Sequence, residues 1–195
     1  MARVAIARVL YIATAIILAI FGIFLLYLLS IPLYIFRGVV DGYIALSSYS
    51  LRYYGERIYL SSLDSVRILS LPLYILSISM ILTAIYSSTA LALRKERHIY
   101  TASEIMLGIS LTHIAITPLV IGMLRIIDSE ARGLRTANVF YTSAGLVNFG
   151  STEMRVNSSV LSYTTPLHII IYASIIVVLS IATYIAMISI QQRTS

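Results

Sequence analysis

His113 stands in the run ISLTHIAITPLV, the one ionisable side chain deep inside an apolar stretch of this chain. An imidazole so placed is suited to ligating haem or another metal, to binding a quinone, or to bonding a neighbouring helix. Bis-histidine haem ligation needs a second imidazole at similar depth. His168 falls at the edge of the last apolar run and His98 in a charged turn, so the sequence offers no pair. The expectation is therefore a hydrogen bond from His113 to an adjacent helix, with Thr112 or Thr117 nearby, and cofactor binding at His113 is the alternative. No cofactor is expected otherwise.

Carboxylates avoid the middle of every apolar run: Glu104 lies at the start of one and Asp128 just past its end. Proton relays and cation-coupled carriers usually need such groups, which disfavours a carrier. A pore lined by hydroxyls survives that argument, and Ser79, Thr83 and Ser87, at spacing four, would form such a lining. The same residues also suit helix packing, as do Gly108, Ala115 and Gly122 at spacing seven and the pair Ala15 and Ala19. Small side chains let backbones approach closely where lipid offers no hydrophobic drive for association. Such a stripe either packs within the bundle or stays unfilled and docks on a helix of another protein.

Arg125, Asp128, Glu130, Arg132 and Arg135 form a charged cluster in which Arg125 and Asp128 have the spacing of a helical pair. Asn157-Ser158-Ser159 fits the N-glycosylation acceptor pattern. Cysteine is absent, which excludes disulfides, thiol nucleophiles and cysteine-ligated metals. There is no P-loop, dinucleotide fingerprint, HExxH or GxSxG, and no catalytic residue is assigned.

The elements that hold these residues follow from composition. The chain has 195 residues, 59% hydrophobic and 11% charged, where a soluble domain runs near about 25% charged. Four apolar runs, at about 9–36, 68–93, 102–127 and 167–190, reach the roughly 20 residues a bilayer-spanning helix needs. The first lacks a small-residue cleavage site and reads as a retained anchor. Pro32 should kink or end it.

Two longer connections remain. In 37–67, alternation around Tyr49, Leu51 and Tyr53 and the turn Tyr54-Gly55-Glu56 suggest a β-hairpin. The alternative is an amphipathic interfacial helix using Leu46, Tyr49, Tyr53, Leu60 and Leu63. In 128–166, Thr152, Met154 and Val156 alternate with polar residues, and Asn138–Thr142 and Val160–Thr164 are β-prone, so a small antiparallel meander is expected, which the hairpin of 37–67 could join in a cap made mostly by 128–166. Tyrosine takes the interfacial belt in the absence of tryptophan: Tyr11, Tyr86, Tyr100 and Tyr184 toward one boundary, Tyr34, Tyr74 and Tyr172 toward the other.

Six of the 14 Lys and Arg residues lie in the two tails and the 94–98 turn, densely flanking the apolar runs, whereas eight are spread through the longer connections among acids. Density favours both termini on the cytoplasmic side. The net charge of +6 then reflects topology and lipid headgroups rather than a nucleic-acid partner. Few Asn and Gln residues suggest a thermophile, although Lys95 is the sole lysine.

The expected fold class is an all-α membrane protein, a single integral membrane domain over 1–195: a four-transmembrane-helix bundle with a small β-rich extracytoplasmic cap. Tetraspan proteins of the claudin kind share this outline, but the tryptophan and paired cysteines of their first loop are missing here, so the sequence assigns no family. The expected function is a non-catalytic membrane subunit that packs against a larger complex, its cap contacting an outer partner. Its partners are membrane lipid and other membrane subunits. The alternatives are a self-associating small-solute or ion pore and a haem- or quinone-binding electron-transfer subunit.

Overall fold

The structure, a computed structural model, describes residues 2–136, 139–142, 145–148, 152–162 and 164–194. Helix α1 (Ala2–Ser30) is followed by strands β1 (Pro32–Gly38), β2 (Val40–Ala45), β3 (Tyr49–Tyr53) and β4 (Glu56–Ile58). Helices α2 (Ser61–Leu69), α3 (Leu71–Ala92) and α4 (Glu96–Thr136) come next. Strands β5 (Val139–Thr142), β6 (Gly145–Asn148) and β7 (Thr152–Val156), the short α5 (Ser158–Leu161) and α6 (Pro166–Thr194) complete the chain.

Four helical segments, Val4–Ser30, Ser61–Ala92, Glu96–Arg135 and Pro166–Gln192, are long and apolar enough to cross a membrane, as in a multi-pass membrane protein. Their bounds differ from the expected ones where local chemistry intervenes. The first helix was expected to reach about residue 36 but stops at Ser30. Pro32 has no N–H to donate and pushes Ile31 out of the helical region, and the aromatic, alternately buried residues after it form β1 instead. The third extends well past the expected 102–127 at both ends, so Asp128–Arg135 is helix rather than loop.

The chain divides into two compact units. The helical unit contains the chain as far as Leu26, Leu73–Pro118, and the chain from Pro166 onward. Its core gathers Tyr11, Ala15 and Leu18 of α1, Met80 of α3, Ala102 and Met106 of α4, and Ile176 and Met187 of α6. At Gly22 the approach is close. An added Cβ would stand 2.8 Å from Ile81 Cγ1 and 3.0 Å from the Ser77 carbonyl oxygen, and the Ser77 hydroxyl donates to the Gly22 carbonyl at 2.6 Å.

The sheet unit comprises Tyr27–Pro72 and Leu119–Thr165. Its five-stranded antiparallel sheet has the order β4-β3-β2-β1-β7. One face is buried through Tyr34, Phe36, Val40, Ile44 and Leu51, while Arg37, Asp41, Arg52 and Glu153 stand on the other. Gly42, with φ +129°, is required: a Cβ there would lie 1.9 Å from the Ser50 carbonyl oxygen.

The hairpin reading of 37–67 holds for β3 and β4, and the single amphipathic helix does not form, since Tyr49 and Tyr53 lie in β3 and Leu46 and Leu60 outside any helix. The turn between β3 and β4 uses Tyr54 and Gly55, both at positive φ (50° and 85°), the conformation a two-residue hairpin turn demands. Leu63, offered by the helical reading, is buried in α2. The two connections do join in one sheet, but four of its five strands come from 32–58 rather than from 128–166, and no single meander forms in the latter. β7 pairs with β1, its partners 114 to 122 positions apart, β5 and β6 form a sheet of their own, and in the expected Val160–Thr164 strand Val160 and Leu161 are helical while Tyr163 lies outside the described residues. Its lead-in Asn157-Ser158 turns the chain, the Asn157 carbonyl accepting the Val160 and Leu161 N–H groups, and α5 follows.

Candidate functional site

In the helical unit, polar side chains are joined without charge. The Thr14 and Thr183 hydroxyls bond each other at 2.7 Å, linking α1 to α6, and Ser110 and Ser180 do so at 2.6 Å, linking α4 to α6. The Tyr11 phenol donates to the Ser87 carbonyl at 3.1 Å. Of the expected packing stripe on α3, Thr83 and Ser87 are buried and Ser79 half-buried. The Ser87 hydroxyl donates to the Thr83 carbonyl at 2.6 Å, so this pair is engaged within the chain's own interior.

The α4 residues behave differently. Glu104, Gly108, Leu111, Thr112 and Ala115 are all exposed. A Cβ on Gly108 would meet nothing within 4 Å, and the same holds for Gly122, which lies on α4 within the sheet unit. Packing of Gly108 against a helix of this chain is therefore not realised among the described residues. The spacing that marks a close-packing face was legible, but whether a helix occupies it depends on tertiary structure.

His113 lies between these faces and is partly buried. Among the described residues its Nδ1 is buried and has no hydrogen-bond partner. The nearby threonines do not supply one. Thr112 donates to the Gly108 carbonyl at 2.9 Å and Thr117 to the His113 carbonyl at 3.1 Å. A helical threonine always has the carbonyl four residues back within reach, and in apolar surroundings that local bond outcompetes a distant ring. His98 bonds Tyr86 through Nδ1 at 2.9 Å, and His168 stacks on Tyr172 with centroids 6.0 Å apart. Among the described residues, no group of three His, Asp or Glu side chains is placed to hold a metal ion.

The sheet unit uses charge. The Tyr34 phenol donates to Asp128 Oδ1 at 2.8 Å, tying β1 to α4, and Asp128 Oδ2 pairs with Arg132 at 2.8 Å. Asp128 thus takes Arg132, one helical turn on, rather than the expected Arg125. The Ser62 hydroxyl donates to Glu130 at 2.7 Å, and the Tyr49 phenol donates to Asp64 at 3.0 Å while accepting the Leu60 N–H at 3.2 Å. Burial, reinforced by the bond to Asp128, pushes the Tyr34 phenol up to about 12. The Tyr49 phenol is raised for the same first cause. Sequence reasoning missed these links because a belt tyrosine and a partner carboxylate 94 positions away share no local pattern.

Two further expectations meet specific geometry. Tyr11 and Tyr34, assigned to opposite belts, are both buried and hydrogen-bonded inside their units. Asn157, the glycosylation candidate, donates through Nδ2 to the Pro32 carbonyl at 3.3 Å, so the atom that would carry a sugar is in use. Compared with known proteins, the chain matches no family, no curated sequence and no solved structure.

Proposed function

We propose that this chain is a non-catalytic membrane subunit whose α4 face, at Gly108, Thr112 and Ala115, seats a transmembrane helix of another protein. The observation behind this is the open space over Gly108. A glycine inside a helix costs about 1 kcal/mol relative to alanine, and close backbone approach is the return that membrane helices obtain from it. Here no helix of the chain provides that approach among the described residues, so a partner helix does. In this reading both termini face the cytoplasm, the sheet unit lies outside, and its exposed Arg37, Arg52 and Asp41 are available to an outer partner.

Burial of Thr83 and Ser87 within the helical unit favours this reading over a self-associating pore, since a pore lining must face a shared axis. The unpartnered Nδ1 of His113 supports one other reading, a haem- or quinone-binding subunit. A coloured or quinone-bearing preparation that loses its cofactor in His113→Leu would establish that instead.

The test is native mass measurement of the protein purified from its own membrane in mild detergent. Fixed stoichiometry with unrelated chains, lost in Gly108→Leu, supports the proposal. A closed homo-oligomer, or a partner retained in that variant, overturns it.

A further inference from the structure

At one edge of the sheet, where β4 ends and α2 begins, a cavity of about 170 Å³ opens between Tyr49, Arg57, Tyr59, Asp64 and Arg67. Small-molecule sites usually run about 300–1,000 Å³, so this one suits a single small polar group. We propose that it binds a phosphate-type oxyanion, held by the guanidinium groups of Arg57 and Arg67.

Three observations support the assignment. First, neither guanidinium takes part in an ion pair among the described residues, although arginines lining a cavity beside an aspartate would ordinarily be neutralised. Second, the Asp64 carboxylate is turned to another task. Its Oδ1 accepts the Tyr49 phenol, whose own oxygen accepts the Leu60 N–H, and this bridge fixes the start of α2 against β3. The cavity thus carries two positive charges and one negative, and a phosphodiester, with its single negative charge, neutralises the excess. Third, guanidinium is the side chain whose planar fork matches phosphate oxygens two at a time.

The lipid headgroup is the source this position favours. Arg67 is followed directly by Ile68 and Leu69, with Leu71 beyond, and these side chains are 66%, 38% and 59% exposed. Tyr59, on the cavity's rim, is 72% exposed. A cationic cavity at the head of an exposed apolar strip has the polarity pattern of an amphiphile, phosphate at one end and hydrocarbon at the other. A free phosphate ion would use the arginines alone.

The test uses the full chain in mild detergent, with native mass spectrometry of retained dioleoyl phosphatidylglycerol against dioleoyl phosphatidylcholine, and ³¹P line broadening for inorganic phosphate. Arg57→Gln/Arg67→Gln should lower phosphatidylglycerol retention roughly tenfold or more, the effect of losing charge-assisted hydrogen bonds. Arg94→Gln/Arg97→Gln should leave it unchanged. Arg57→Lys/Arg67→Lys, which keeps the charge and loses the fork, should fall between, and a circular-dichroism melt equal to the parent's shows that the fold is retained. Retention of the anionic lipid, sensitive to the two arginines, supports the headgroup as source. Phosphate binding sensitive to them, without lipid preference, supports the oxyanion site and assigns it to a free ion. Binding of neither, or binding that ignores both substitutions, overturns the proposal.

Discussion

The two units bury oxygen atoms in different ways. In the helical unit the partners are hydroxyls and backbone carbonyls: Thr14 with Thr183, Ser110 with Ser180, Ser77 with Gly22, Tyr11 with Ser87. In the sheet unit carboxylates join them, Asp128 with Tyr34, Asp64 with Tyr49 and Glu130 with Ser62, beside neutral bonds such as Ser47 to the Leu29 carbonyl and Asn157 to the Pro32 carbonyl. Moving an ion into a medium of low dielectric costs several kcal/mol even after relaxation, whereas a hydroxyl pair satisfies its own donors and acceptors at no such cost. The separation follows the apolar runs of the sequence. The carboxylates that take part in these bonds lie in the sheet unit, and neutral side chains tie the apolar helices together.

This contrast can be broken by experiment, beginning where backbones touch. Gly22→Leu should destabilise the helical unit by about 3 kcal/mol or more, because the added side chain meets Ile81, Met80 and the Ser77 carbonyl with no room to move. A thermal melt in detergent reads this, and an unchanged midpoint would mean that the α1–α3 contact is looser than described.

Next is the alkaline response, which should belong to the sheet unit. The folded phenol of Tyr34 titrates at about 12, above its ordinary value near 10. A raised folded value means that this contribution is fully present below pH about 10 and is lost as pH rises through about 12. Tyr34→Phe removes the titration, so alkaline unfolding followed by hydrogen exchange in β1 should flatten over that window. An alkaline loss of identical size in the variant would assign the effect elsewhere.

Smaller still is Ser180→Ala, expected to cost about 0.6 kcal/mol, the mean value of an interhelical hydrogen bond in a membrane bundle. Ser110 keeps its bond to the Met106 carbonyl in that variant, which limits the loss. Gly108→Leu is expected to cost no stability and to raise it by up to about 1 kcal/mol, the gain in helix propensity over glycine, because nothing stands within 4 Å of the added Cβ. The pairing of Gly22→Leu with Gly108→Leu is informative, because both replace a helical glycine by the same residue. One contact is filled by this chain, and over the other no atom of the described residues stands within 4 Å.

How much of this was readable beforehand varies with the range of the interaction. The four long helices were legible because length and apolarity are properties of consecutive residues, and Pro32 and the Tyr54-Gly55 turn because their backbone restrictions are local. The alternation of Thr152–Val156 announced a strand but not its partner, since β7 passes over β5 and β6 to join β1. That Asp128 could pair along a helix was visible, but with Arg125 as the expected partner rather than Arg132, and the phenol of Tyr34 on the same carboxylate was not visible at all.

The helix-packing residues divide along the same line. Ser79, Thr83 and Ser87 and the set Gly108, Ala115 and Gly122 are alike in the sequence, as small residues at helical spacing. The tertiary structure buries Thr83 and Ser87 and leaves Gly108 open. Sequence by itself determined where this chain is apolar, where its backbone must turn and which side chains can carry charge, since those follow from residue type and near neighbours. Which small face is filled, which tyrosine meets which carboxylate, and that Arg57 and Arg67 come to line one cavity were decided only in three dimensions, because each depends on residues of different elements being brought together by the fold.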